Sequence, residues 1–191
     1  MTNIFDSGEA GHPTLALRGE YHDVLRDPDG AVVWDRGWKS NSIVGDCRRL
    51  LAAFMRGGPA TNGLLGLQVG AGLDAWDTTG PPPATSGQTA LVDAHPFTLP
   101  YSPGDAGNKV TIDFLDGGTV SATPTNKLQI QANLGNQQPN WPDSFHPTSN
   151  LREFGLVARL ATATILINYV THPVIAKDPA STLERTIWLT F

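Results

Sequence analysis

The chain is short of charge, short of cysteine and short of long apolar runs, and each shortage excludes something. Only 16% of its 191 residues are charged, and 13 Lys and Arg face 18 Asp and Glu. The basic residues are scattered, with Arg48-Arg49 the one adjacent pair. Binding to a phosphate backbone calls for clustered positive charge, so nucleic acid is not an expected partner. The single Cys47 rules out an internal disulfide framework and suits folding in a reducing cytoplasm. No apolar run approaches the roughly 20 residues of a membrane helix, so no membrane partner is expected. The opening MTNIFDSGEAGHP has neither a basic nor an apolar region, and no signal peptide is expected.

Reactive constellations are missing as well. No two of His12, His22, His95, His146 and His172 lie three to five residues apart, and no Cys pair joins them. A metal site therefore has no support. His12, His95, His146 and His172 each precede Pro, a position that favours extended loop backbone. In "DSFH", Ser144 and His146 sit close together, but no strained Gly-x-Ser-x-Gly elbow surrounds the serine. A hydrolase using Ser144 and His146 ranks last among the functions considered. Cys47 falls on an apolar stripe and reads as a small buried hydrophobe. The segment "GLQVGAGLDAWD" lacks the Gly-Lys-Ser/Thr of a phosphate loop and the helix start of a dinucleotide fingerprint. Asp74 and Asp77 lack the alternating oxygen ligands of a calcium loop. The chain is read as non-enzymatic, with no catalytic residue, metal or cofactor.

What is present is 20 Gly, 15 Pro and 40% hydrophobic residues, the balance of a loop-rich β protein. Tyr21–Arg26 and Ala31–Arg36 flank Asp27-Pro28-Asp29-Gly30 and predict a hairpin. Ile43, Val44, Cys47, Leu50, Leu51, Phe54 and Met55 follow helical spacing. They predict one amphipathic helix over about residues 42–56, with caps among Ser40, Asn41 and Ser42 and a stop at Gly57-Gly58. Strands are predicted near Leu64–Val69 and Ala90–Val92, then from Val110 on either side of Asp116-Gly117-Gly118. Leu128, Ile130 and Ala132 alternate with polar residues, giving a strand with one wet face. Residues 151–159, 162–171 and 182–191 read as three more. With seven to nine strands, the fold class is mainly β: a β-sandwich or jelly-roll-like domain with one helix and long Pro/Gly-rich loops. Residues 1–18 read as an N-terminal arm and 19–191 as a single domain.

The aromatics offer candidate contact residues. Trp76, Trp141 and Phe145 stand in polar loops, where a tryptophan either anchors a partner or sugar ring or folds back over its own loop. Trp34, Trp38 and Trp188 lie on or beside strands and read as core or interface. The final stretch carries Leu183, Ile187, Trp188, Leu189 and Phe191. Such a strand can add to a neighbouring subunit's sheet or lie centrally in its own.

Three segments carry a resemblance. "GWKSNSIVGDCRRLLAAFMRGG" places a helix ahead of the strand "LLGLQVGAG"; "NLREFGLVARL" supplies Glu-x-Gly-Leu; "HPVIAKDPASTLERTIWLTF" supplies Pro-x-x-x-Lys before a terminal strand. The matching residues are Val69, Gly70 and Gly72; Glu153, Gly155 and Leu156; and Pro173 and Lys177. This order resembles small structural proteins of tailed bacteriophages and of phage-tail-like contractile injection systems. The resemblance implies a virion structural protein (tail fibre, baseplate, neck or head-decoration) made in the host cytoplasm and located in the virion. It implies a homo-oligomer that contacts other virion proteins. The alternative is a carbohydrate-binding, receptor-recognising module, with a host-surface glycan stacked on Trp76, Trp141 or Tyr101.

Overall fold

A computed structural model describes residues 17–57 and 63–191. Of the expected N-terminal arm, residues 1–16 lie outside the described residues, while Arg18 already opens the first strand. That strand, β1 (Arg18–Arg26), turns into β2 (Val32–Ile43) through Asp27–Ala31. The Asp27 carboxylate accepts from the amides of Asp29 and Ala31, and Gly30 takes φ 85°. Helix α1 (Gly45–Met55) follows, then β3 (Gly63–Gly70), the one-turn helix α2 (Trp76–Thr79) and β4 (Phe97–Pro100). After these come β5 (Val110–Asp116), β6 (Thr119–Ser121), β7 (Lys127–Leu134) and β8 (Asn150–Leu160). The chain ends in β9 (Ala163–Leu166), β10 (Asn168–Ala176) and β11 (Thr182–Thr190).

The protein is mainly β. All strand pairs are antiparallel, in the order β4-β3-β8-β10-β2-β1-β11-β7-β5-β6, with β9 also on β8. One junction is thin: β10 meets β2 through only Asn168↔Ile43 and Tyr169↔Ser42. There the sheet turns over on itself into a sandwich. One layer holds β2, β1, β11, β7, β5 and β6, and the other holds β4, β3, β8, β9 and β10. Tyr21 of β1 meets Phe154 of β8 edge to face across the gap, ring centroids 5.1 Å apart. Leu67, Val69, Leu156, Ile130, Leu183 and Ile187 fill the interior around them. Burying such side chains contributes roughly 1.5–3 kcal/mol each.

Strand β11 is central. It pairs with β1 along one edge and β7 along the other, so its main-chain groups are taken up within this chain. Its period-2 alternation buries Leu183, Ile187 and Leu189 in the core. The interface role expected for those three gives way to core packing, because no free strand edge remains there for a neighbour to add to.

The helix is shorter than predicted. Ser40–Ile43 continue β2, and Val44 precedes the helix with no side-chain cap. Pairing of Ser42 and Ile43 with β10 outweighs local capping preference. Cys47 is buried and Leu50 and Leu51 pack partly against the core, whereas Phe54 and Met55 are 68% and 83% exposed. The strand predicted at Ala90–Val92 does not form, since the amides of Val92 and Asp93 bond a carboxylate instead. The stretch 162–171 breaks into β9 and β10 at Ile167, and Ile165, Leu166, Ile167 and Tyr169 are all buried, on both faces.

Candidate functional site

Three polar assemblies stand out: one at the end of β3 and β8, one inside the sandwich, and one on the sheet's outer face.

The first brings the resemblance motifs together. In the β3–β8 register Val69 lies opposite Phe154 and Gly70 opposite Glu153. Gly70 has a steric reason: a Cβ there would stand 2.7 Å from Glu153 Oε1 and 2.9 Å from Asp93 Cβ. The buried Glu153 carboxylate accepts from the Val92 and Asp93 amides at 2.9 and 2.7 Å and from the Tyr169 hydroxyl at 2.6 Å. Burial, followed by this bond to Glu153, pushes the Tyr169 hydroxyl's pKa far up, so it stays a donor. Asp93 in turn accepts from the Ala71 amide and faces His146 Nε2 at 3.1 Å. The other ring nitrogen of His146 meets Asp143 at 2.8 Å, and Trp141 stacks on the ring at 3.8 Å. Burial raises the Asp143 carboxyl, but the amides of Phe145 and His146 and the His146 ring outweigh it, and its pKa falls below the ordinary value.

Beside this chain, Arg152 forks onto Asp77 with both bonds at 2.7 Å, reaches Asp74 at 2.9 Å, and donates to the Ala71 carbonyl. The Arg152 hydrogen bonds hold the Asp77 carboxyl below its usual pKa. Gly72 takes φ 60°, and a Cβ there would lie 2.5 Å from the Trp76 ring. Gly155 lets the Asn168 carbonyl approach to 2.5 Å of where its Cβ would be. Lys177 is buried, donates Nζ to the Gly135 carbonyl at 3.0 Å, and has its pKa lowered to about 8 by burial. These motif residues thus fix a strand end and its loops.

The second assembly lies within the sandwich. Arg185 forks onto Asp23 with two bonds of 2.6 Å, and all three of Asp23, Arg185 and His172 are 1–2% exposed. The guanidinium lies 3.6 Å over the Phe154 ring, and its Nη2 is 3.4 Å from His172 Nε2. Burial, then the Arg185 charge, lowers His172 to a pKa of about 3, so the ring is neutral. Burial also raises Asp23, but the charge and hydrogen bonds of Arg185 outweigh it and the net shift is downward. Arg185 Nη1 has no partner among the described residues.

Neither cluster has the parts of a nucleophilic centre. Ser144 is exposed, and both nitrogens of His146 are taken by carboxylates, so His146 has no free nitrogen for that hydroxyl. Burial raises the Cys47 thiol to about 11, away from nucleophilic range. No cluster of three or more His, Cys, Asp or Glu fit for a metal ion exists among the described residues. Of the loop aromatics, Trp76 and Trp141 are buried at 7% and 4% exposure. They cover their own loops, over Gly72 and His146, and this removes them as exposed anchors or sugar platforms. Phe145 stays 62% exposed, stacked on His95 at 3.8 Å.

The third assembly is open. On the outer face of β2, β1, β11 and β7 run Trp38, His22, Trp188 and Lys127. Trp38 and Trp188 have centroids 4.0 Å apart, His22 lies 5.3 Å from Trp38, and Lys127 Nζ sits 3.7 Å over Trp188. Trp188 Nε1 donates to Gln129 at 3.1 Å. A bulge aims Trp38 outward. Two steps of β1, His22 to Val24, oppose three of β2, Trp38 to Asp35, and Gly37 takes φ 64°. Were β2 regular from Asp35 onward, Trp38 would fall opposite Tyr21 and point inward.

No family model matches the chain, and neither a curated protein nor a solved structure is found to match it.

Proposed function

We propose that the chain is a non-enzymatic structural subunit of a tailed-phage or phage-tail-like particle, acting through contacts with copies of itself and with neighbouring particle proteins. The observation that carries this reading is a set of large apolar side chains held outward on regular elements. Phe54 and Met55 end α1, Val32 and Val33 open β2, and Val120 lies on β6. Apolar groups on rigid elements bury against a second surface at little ordering cost. The resemblance in residues 37–191 supports the particle assignment, and Phe145, 62% exposed, remains available for contacts made by loops.

The test is size-exclusion chromatography with light scattering on the intact chain, alongside Phe54→Ser with Met55→Ser. An oligomer that the double variant dissociates, with the melting temperature of the separated chain unchanged, supports the reading. A chain that stays monomeric at every concentration sinks it. Capsid, portal or sheath genes beside its own gene are expected.

A further inference from the structure

The six-stranded layer has an outer face centred on Trp38 and Trp188. Its composition differs from that of the apolar positions above. In register, Trp188 lies between Glu20 of β1 and Gln129 of β7, and Thr186 between His22 and Gln131. On β5, Asp113 and Thr111 extend the two rows. Next to the tryptophan pair runs an open trough of about 490 Å³, whose lining includes Lys109, Thr111, Gln131, Asn133, Glu184 and Thr186. That size falls within the range of ligand sites. Arg26 pairs with Glu184 at 2.9 Å at its side.

We infer that this face binds a neutral oligosaccharide, with Trp38, backed by Trp188, stacking on a sugar ring and the trough hydrogen-bonding its hydroxyls. Four features decide the ligand class. An indole face against the C–H face of a sugar is the contact a half-open tryptophan provides, and Trp38 keeps 43% of its surface free. Amide and hydroxyl side chains both donate and accept, matching hydroxyl groups that do the same. Carboxylates (Glu20, Asp113, Glu184, Asp35) outnumber the cations, Arg26 is already paired, and Lys109, beside Asn133, and Lys127 stand toward opposite ends of β7, so no cluster of cations awaits a sulfated or sialylated chain. The core of a protein–protein contact is depleted in such charges and richer in apolar surface than two indoles among Gln, Thr, Asn and Glu.

The geometry is prepared in advance. The Gln129 bond and the Lys127 ammonium fix the Trp188 ring, the bulge at Gly37 fixes Trp38, and Asp35 fixes His22 at 2.6 Å. Rigid side chains lose little freedom on binding. From Trp38 on β2 to Gln131 on β7 are three strand spacings, about 14 Å. The ligand is therefore a chain of sugars and not a single ring.

The experiment is a printed array of neutral, sialylated and sulfated oligosaccharides probed with the intact chain, followed by titration of its tryptophan fluorescence with the strongest neutral hit. Neutral glycans are expected to bind. Trp38→Ala should weaken binding at least tenfold and Gln131→Ala several-fold, both with unchanged folding by circular dichroism. Should Trp38→Ala lose its fold, Gln131→Ala carries the test. Absence of any neutral hit overturns the inference, as does affinity unchanged in Gln131→Ala and in a folded Trp38→Ala. Binding of sulfated chains alone would reassign the face to ionic contact at Lys109 and Lys127. A protein partner lost on Trp38→Ala without glycan binding would overturn it too. Each of these results is independent of whether the chain oligomerises.

Discussion

Strands β1 and β11 present polar side chains on both of their faces, and the two faces use them in opposite ways. Inward, Asp23 and Arg185 stand between Tyr21 and Leu25, and between Leu183 and Ile187, locked to each other in a dry interior. Outward, on the alternate positions of the same strands, His22, Thr186 and Trp188 stay half-open to water. A buried ion must be paired because desolvation is expensive, so the inner groups are spent on each other. The outer groups pay no such penalty and keep hydrogen-bonding capacity in reserve. Polar residues in a period-2 pattern thus say little until it is known which face they occupy.

The largest expected effect breaks the inner pair. Arg185→Met leaves Asp23 charged, buried and alone, and should cost about 3–5 kcal/mol, a fall of roughly 6–20 °C in Tm. Adding Asp23→Leu should recover most of it, because an apolar pair of similar volume needs no partner. Differential scanning calorimetry of both variants checks this. If the double variant were no better than the single, the unpaired Asp23 charge would not be the source of the cost.

Acid reaches the same cluster. His172 faces Arg185, Asp23 and, more distantly, Arg36. Its folded pKa of about 3 lies below the ordinary 6.5, so between those values the unfolded chain binds one proton more than the folded one. Stability should fall as pH falls through that window. Asp23, also shifted downward, adds to the loss only below the usual carboxylate range. At the alkaline end Lys177 acts in the same sense: between about 8 and 10.5 the unfolded chain keeps a proton that the folded one has lost, so stability should again rise with pH. A melting profile against pH checks both limbs, and His172→Gln should flatten the slope between about pH 6.5 and 4.5.

How much of this was legible in the chain follows the range of the interactions. Turns written by local chemistry were plain: Asp27-Pro28-Asp29-Gly30 made the first hairpin. Gly117 and Gly118, at φ 54° and 93°, made a two-residue turn between β5 and β6. The alternation around Ile130 gave the wet face of β7. Ser40-Asn41-Ser42 looked like helix caps but were claimed by strand pairing, Ser40 and Asn41 with β1 and Ser42 with Tyr169 of β10, more than a hundred residues away. Asp93, the Asp143–His146 loop and Glu153 come from two loops and a strand far apart in the chain and share no local signature. Asp23 and Arg185 did leave one, a charge set within an apolar register on each of two strands, which marks a buried pair.

A smaller effect tests how the outer face is aimed. Nothing stands within 4 Å of a Cβ built on Gly37, so Gly37→Ala meets no clash and probes backbone strain alone. At φ 64° the expected cost is about 1–2 kcal/mol. Near-UV circular dichroism should still show the coupled tryptophan pair, because relaxing the bulge would turn Trp38 into the core. Loss of that signal would mean that the glycine, and not the strand register, holds the indole outward.

The smallest effect separates a binding platform from a structural cover. Trp38 touches Trp188 and His22, and an aromatic contact of this kind contributes about 0.5–1.5 kcal/mol. Trp38→Ala should therefore shift stability by about 1 kcal/mol, far less than a core aromatic such as Phe154, whose loss would cost about 3–5 kcal/mol. A loss near the larger figure would mean that Trp38 shields the sheet and belongs functionally with the interior. A small loss in stability, set beside a tenfold loss in glycan binding and an unchanged Trp188 environment by near-UV circular dichroism, assigns the side chain to the ligand, because the fold and the neighbouring ring then stay in place while affinity falls.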